Sequence, residues 1–291
     1  MFMGKLAVLS VLLLLSTAVT AQRFHVGIFG GLSAYNGDLT EKIFPKKVTN
    51  GAIGISANYE LSDHLMLRGQ YTYTVVGGAD RYSNNPELVS RNLAFESRIS
   101  EFSLVGEYYL MNLYDHRFTP YLFGGLAVYH FNPYTYTTSN QRVYLKPLGT
   151  EGQGIAGYPR PYALTQMAIP FGAGVKYAIT ENLHLGLEVS LRKLFDDYLD
   201  DVSTTYADPA DLFNAHGQQS VDLSYRGDEL EEGTATYPVK GTQRGGAEHN
   251  DTYYFTGLHL TYRLGNGKNK SGFSSNGRLR KNRNGCPANV Y

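Results

Sequence analysis

The sequence predicts an all-β fold: an eight-stranded antiparallel transmembrane β-barrel with short periplasmic turns, long extracellular loops and a flexible periplasmic C-terminal tail. Three observations carry this. A secretory signal opens the chain, eight candidate strands follow of which most alternate apolar and polar residues with a period of two, and the connections alternate short and long. In a barrel with both ends in the periplasm, connections two, four and six are tight inner turns, while one, three, five and seven face outward and can lengthen.

Residues Met1 to Ala21 read as a signal peptide, with Lys5 as the positive start, Leu6 to Leu15 as the apolar stretch and Val19-Thr20-Ala21 as the small-residue cleavage site before Gln22. The apolar stretch is too short for a spanning helix, and nothing later approaches the roughly 20 apolar residues that one requires. Crossing therefore falls to strands. Residues 22–264 are assigned to the barrel and 265–291 to a basic periplasmic tail. No cysteine follows the cleavage site, since the one cysteine is Cys286, so a lipid anchor at the N-terminus is not expected.

Composition agrees with a membrane barrel. The chain holds 32 Gly, 24 Tyr and 14 Phe with no Trp, a bias that suits aromatic girdles at two membrane interfaces. Lys and Arg number 26 against 26 Asp and Glu, so no overall charge favours nucleic acid.

Successive side chains of a strand point to opposite faces, so a lipid-facing strand is apolar at every second position. The first segment sets Phe24, Val26, Ile28 and Leu32 outward against His25, Gly27, Gly31 and Ser33; the second sets Ile53, Ile55, Ala57 and Tyr59 against Ser56, Asn58 and Glu60. The third opposes Leu65, Leu67, Tyr71, Tyr73 and Val75 to Arg68, Gln70, Thr72 and Thr74, and the fourth opposes Phe102, Leu104, Tyr108 and Leu110 to Glu101, Ser103 and Glu107. The fifth, around Tyr121 to Phe131, is apolar on both faces, which leaves its register open. The sixth places Met167, Ile169, Phe171, Val175 and Tyr177 outward and contains Pro170, which removes a ladder donor and predicts a bulge. The seventh is the cleanest: Leu183, Leu185, Leu187, Val189 and Leu191 share one face and His184, Gly186, Glu188, Ser190 and Arg192 the other. A slip of one residue would put charge into lipid. The eighth ends with Leu258, Leu260, Tyr262 and Leu264 opposite His259, Thr261 and Arg263.

Ser62-Asp63, Asn112 to His116 and Thr180-Glu181 form the predicted tight turns, and Tyr35 to Asn50, Gly77 to Glu96, Asn132 to Leu164 and Asp196 to Asp251 the long loops. Loops above about 15 residues are normally functional or mobile. An eight-stranded barrel is only wide enough for its own side chains. Glu60, Glu101, Glu107 and Glu188 can therefore neutralise Arg68, Lys176, Arg192 and Arg263 inside it.

Several stretches add a resemblance: Tyr35-Asn36-Gly37-Asp38-Leu39, Arg98-Ile99-Ser100-Glu101-Phe102, Thr119-Pro120-Tyr121-Leu122-Phe123-Gly124-Gly125, Ile169 to Tyr177, Asp197 to Tyr206, and the tail ending in Cys286-Pro287. The chain resembles a family of Bacteroidetes outer-membrane β-barrels that includes PorG of the type IX secretion system. The resemblance implies a non-enzymatic component that anchors or docks a periplasmic ring built from PorK-like and PorN-like proteins.

Partner binding is assigned to the tail, through Arg278, Arg280, Lys281, Arg283 and Cys286. A cationic arm steers onto acidic protein or lipid surfaces, and an odd cysteine in an exported protein suggests an intermolecular disulfide; the alternatives are a solvated end and a free thiol. Asp196, Asp197, Asp200 and Asp201 are close enough to hold calcium, but their spacing matches no EF-hand loop, so they are read as solvated or loop-ordering. His216, Asp222 and Ser224 share the last outer loop without spacing that assembles a triad, and no catalytic residue, cofactor or metal is assigned. A surface adhesin using the long loops and an outer-membrane lipid-modifying enzyme remain alternatives. A soluble lipocalin-like barrel is the structural rival, but its apolar face would point inward.

Overall fold

The structure is a computed structural model that describes residues 23–40, 48–231, 236–246 and 250–264. The predicted signal peptide and tail lie outside the described residues. Ten strands run in chain order: β1 (Phe24–Asn36), β2 (Asn50–Ser62), β3 (Leu65–Ala79), β4 (Ala94–Tyr109), β5 (Phe118–His130), β6 (Pro133–Tyr136), β7 (Arg142–Tyr144), β8 (Thr165–Ala178), β9 (Leu183–Leu194) and β10 (Thr252–Leu264). Eight of them close a barrel in the order β3-β2-β1-β10-β9-β8-β5-β4, with β3 paired to β4. Every pairing is antiparallel. The short hairpin of β6 and β7 was not predicted; it extends the sheet by pairing Glu96 and Ser97 of β4 with Tyr134 and Pro133.

The outer wall is oily. Ile53 and Ile55 are 66% and 64% exposed, and Phe102, Leu104, Leu126, Leu187 and Leu258 share that surface, an arrangement stable only against acyl chains. The inner wall is buried and polar. In β5 the ambiguity resolves with Leu122, Leu126 and Val128 outward and Tyr121, Phe123 and Tyr129 inward. Glycines on β8 create the room: a Cβ on Gly172 would lie 2.6 Å from the Phe123 ring, and one on Gly174 would lie 2.6 Å from that of Tyr121.

Pro170 produces no bulge, contrary to expectation. Its strand keeps one unbroken register with β9, and the ladder to β5 lapses only between Gly124↔Phe171 and Ala127↔Ala168 before resuming in the same register. The missing donor is thus absorbed locally. The one register shift in β2–β3 lies between Glu60 and Ser62, beside the first inner turn.

The inner connections are residues 63–64, 110–117 and 179–182, the second and third longer than predicted because the strands flanking them stop short. The described parts of the outer connections are folded. Helix α1 (Pro86–Arg91) starts at Asn85, whose side chain accepts the Glu87 N–H; α2 (Pro209–His216) starts at Asp208, which accepts from Ala210; and α3 (Gln218–Ser224) follows. An N-cap followed by proline at the first helical position is a legible start signal in both. Leu39, Leu93, Leu145, Leu148, Leu199, Val202 and Leu223 of these loops pack onto Tyr35, Tyr129, Tyr253 and Phe255 at the barrel mouth. The result is a cap.

Candidate functional site: a charged lumen beneath a capped mouth

Alternation in β2, β3, β4, β8, β9 and β10 delivers eight ionic side chains into the lumen, and all eight are buried. Arg68 bonds Glu188 at 2.8 Å and stands 3.2 Å from Glu107, which also faces Lys176 at 3.2 Å. Tyr121 donates to Glu188 at 2.9 Å, and Tyr109 donates to Glu107. Nearer the mouth, Arg192 grips both oxygens of Glu101 at 3.0 Å while lying 4.1 Å from the centre of the Phe255 ring. Tyr253 donates to the same carboxylate at 2.6 Å. Nearer the inner turns, Arg263 stands 3.8 Å from Glu60, which also accepts from Tyr114. Four carboxylates and four cations thus interleave, and histidines fill between them: His259 contacts Arg68 and Ser56, at 2.9 and 2.8 Å.

The cap holds a second polar network. The Glu151 carboxylate accepts the backbone N–H of Ser203 and Thr204 and pairs with Arg244 at 3.0 Å. Arg91 pairs with Asp80 at 2.7 Å. Asp201 accepts from Thr150 and Tyr162, both at 2.6 Å. Of the acidic run, read as solvated or loop-ordering, Asp197, Asp200 and Asp201 are buried, which overturns the solvated alternative; Asp200 accepts the Val202 N–H, and with the Asp201 contacts this orders the loop. Tyr35 stands 2.5 Å from Asp200 and 2.9 Å from Asp251. A phenol has one proton to donate, so the second contact requires a protonated carboxyl. Burial, reinforced by the neighbouring carboxylates, holds both acids well above the usual carboxylate range.

Burial also pushes Asp201 up to about 6 and, with Asp38 and Glu151 close by, Asp197 up to about 8. Groups raised on folding stabilise below their unfolded value of 3.8, and that contribution is lost as pH rises through the folded values. The cap should therefore loosen between about pH 6 and 8. Amide exchange of residues 195–231, corrected for its intrinsic pH dependence, should accelerate over that interval; a flat profile would contradict the assignment.

Other sequence-predicted residues are not brought together. Ser224 bonds Val221 and Tyr237, Asp222 bonds Gln218, and no hydrogen bond joins either to the other or to His216. Among the described residues, no three His, Cys, Asp or Glu side chains are grouped to hold a metal ion. The proposed partner-binding residues Arg278, Arg280, Lys281, Arg283 and Cys286 lie outside the described residues. Sequence reasoning missed Glu151, Arg244, Asp251 and Arg91, whose pairing across loops carries no local spacing signal.

Similar solved structures include Neisserial surface protein A, NspA, at 12% identity and TM-score 0.41, covering 82% of this chain and 96% of that one. Outer membrane protein OprG from Pseudomonas aeruginosa matches at 11% identity and TM-score 0.39, with 83% and 97% covered. Ail, the attachment invasion locus protein of Yersinia pestis, matches at 9% identity and TM-score 0.37, with 83% and 99% covered. Among curated proteins no match is found. Residues 4–214 match the family described as Domain of unknown function (DUF6089), and the chain belongs to that family.

Proposed function

We propose that this protein is a non-enzymatic barrel of the outer membrane that anchors or docks a periplasmic ring of the type IX secretion system, as the resemblance to PorG-like barrels implies. The observation that carries this reading is the filled interior. A lumen packed with paired Glu101–Arg192 and Glu107–Arg68–Lys176 charges, beneath a folded cap, suits an anchor better than a conduit. The oily outer wall and the predicted export signal support the location. Docking falls to the tail: its cations steer onto acidic PorK-like or PorN-like surfaces, and Cys286 forms an intermolecular disulfide.

Deletion of residues 278–291 should abolish co-isolation of the ring proteins after cross-linking and mass spectrometry, with the barrel still folded. An intact complex would reject docking through the tail. Cys286→Ser should remove a cross-linked band from non-reducing gels, and absence of such a band in the parent would reject the disulfide.

A second reading, a surface-binding barrel, is favoured by a cavity of about 610 Å³ in the cap, lined by Asp38, Asn85, Tyr206, Tyr225 and Gln243. It requires no periplasmic partner, so the same isolation experiment separates the two.

A further inference from the structure

The outward face of β3 and β4 changes character abruptly at its upper end. Tyr71, Tyr73, Phe102 and Leu104 belong to the exposed apolar wall. Four residues above Phe102, about 13 Å along the strand, the outward position is Arg98, paired in register with Val75. The unpredicted β6–β7 hairpin stands at the same level. Its residues Tyr136, Arg142 and Tyr144 are exposed, and Tyr134 is buried beneath its neighbours.

Two guanidinium groups share the Tyr134 ring, that of Arg98 at 5.9 Å and that of Arg142 at 5.4 Å, and Arg142 also lies 5.6 Å from the Tyr144 ring. Neither arginine has an ion pair among the described residues. The nearby carboxylate, Glu96, accepts the Tyr134 hydroxyl at 2.7 Å. Both guanidinium groups lie within cation–π reach of these rings, and Arg98 also bonds the Tyr134 side chain; the remaining N–H groups of two neighbouring forks can recognise phosphate oxygens in pairs. A cavity of about 380 Å³ shares Glu96 and Tyr136 with this patch and is lined further by Arg81, Thr137 and Asn140. Those groups suit a polar, hydroxyl-bearing headgroup.

We propose that Arg98 and Arg142, held on Tyr134 and Tyr144, bind the phosphate of a phosphorylated glycolipid in the leaflet facing the long loops. The apolar wall directly below supplies the seat for its acyl chains. This site rests on the outward orientation of those loops and is independent of any periplasmic partner.

The test uses the mature full-length protein in nanodiscs of phosphatidylcholine with or without lipopolysaccharide, with retained lipid counted by native mass spectrometry. The parent should retain lipopolysaccharide over phosphatidylcholine. The double variant Arg98→Gln/Arg142→Gln should reduce that retention about ten- to thirtyfold. Lys193→Gln, an exposed cation on the outward face of β9, should change it less than about twofold. Arg142→Lys provides a milder variant should the double change impair folding, and should give a partial loss because charge persists without the fork. Unchanged retention in the double variant, an equal loss in Lys193→Gln, or displacement by inorganic phosphate alone would overturn the proposal. Surface labelling of Ser139→Cys on intact cells separates the premise: no labelling overturns the shared orientation, whereas labelling with no lipid selectivity overturns this inference alone.

Discussion

Replacing Arg68 with alanine should lower barrel stability by about 3–5 kcal/mol, the cost of stranding buried charge. One guanidinium nitrogen serves Glu188 at 2.8 Å and Glu107 at 3.2 Å, on strands β9 and β4 across the lumen. Without it, Glu188 keeps the Tyr121 hydroxyl and Glu107 keeps Lys176 and Tyr109. Two carboxylates would then share one cation. Heat-modifiable gel mobility in detergent reports the loss directly, and an unchanged unfolding temperature would show that the pairs carry no weight. Removing Glu188 as well, in Arg68→Met/Glu188→Gln, should recover much of the loss, because Glu107 then keeps Lys176 one to one and an apolar substitute for a buried ion pair is often neutral. Arg192→Ala should follow the same rule through Glu101.

Glu151→Ala should open the cap and spare the barrel. This carboxylate gathers the N–H groups of Ser203 and Thr204, the Thr204 and Tyr198 hydroxyls and the Arg244 guanidinium. It therefore ties the third outer connection to the fourth. Its loss leaves Arg244 buried beside unsatisfied backbone donors, a cost of about 3–5 kcal/mol to the cap alone. Protease should then cut within residues 195–231 while the strands retain slow amide exchange. Cleavage no faster than in the parent would remove Glu151 from its central place.

The barrel was legible wherever one face alone is apolar. In β9, Leu183 to Leu191 against His184 to Arg192 admits a single register, and the neighbouring ladders follow it. In β5 the signal cancels because the lumen itself takes aromatics there: Tyr121 and Phe123 point inward as oily as Leu122 and Leu126 point outward. The missing clue sat on another strand, in Gly172 and Gly174. Period two places charges inside but says nothing of stagger, so the sharing of Glu107 between Arg68 and Lys176 was not visible. The cap was least legible. Asp200 reads as solvated or loop-ordering and Asp251 carries no signal at all until Tyr35, far away in sequence, is seen between them. Pro170 misled for a simpler reason: proline forbids a hydrogen bond, and the ladder spends that gap without changing length.

Thirteen residue pairs join Phe24–Asn36 to Thr252–Leu264, two segments at opposite extremes of the cylinder's primary order. The seam between them can be sewn only after the last of the eight staves has been delivered. Until then β1 and β9 would present raw edges with unanswered amides, a template for aggregation. A chain cut before Thr252 should therefore clump as an unclosed sheet and never settle as a seven-stave cylinder.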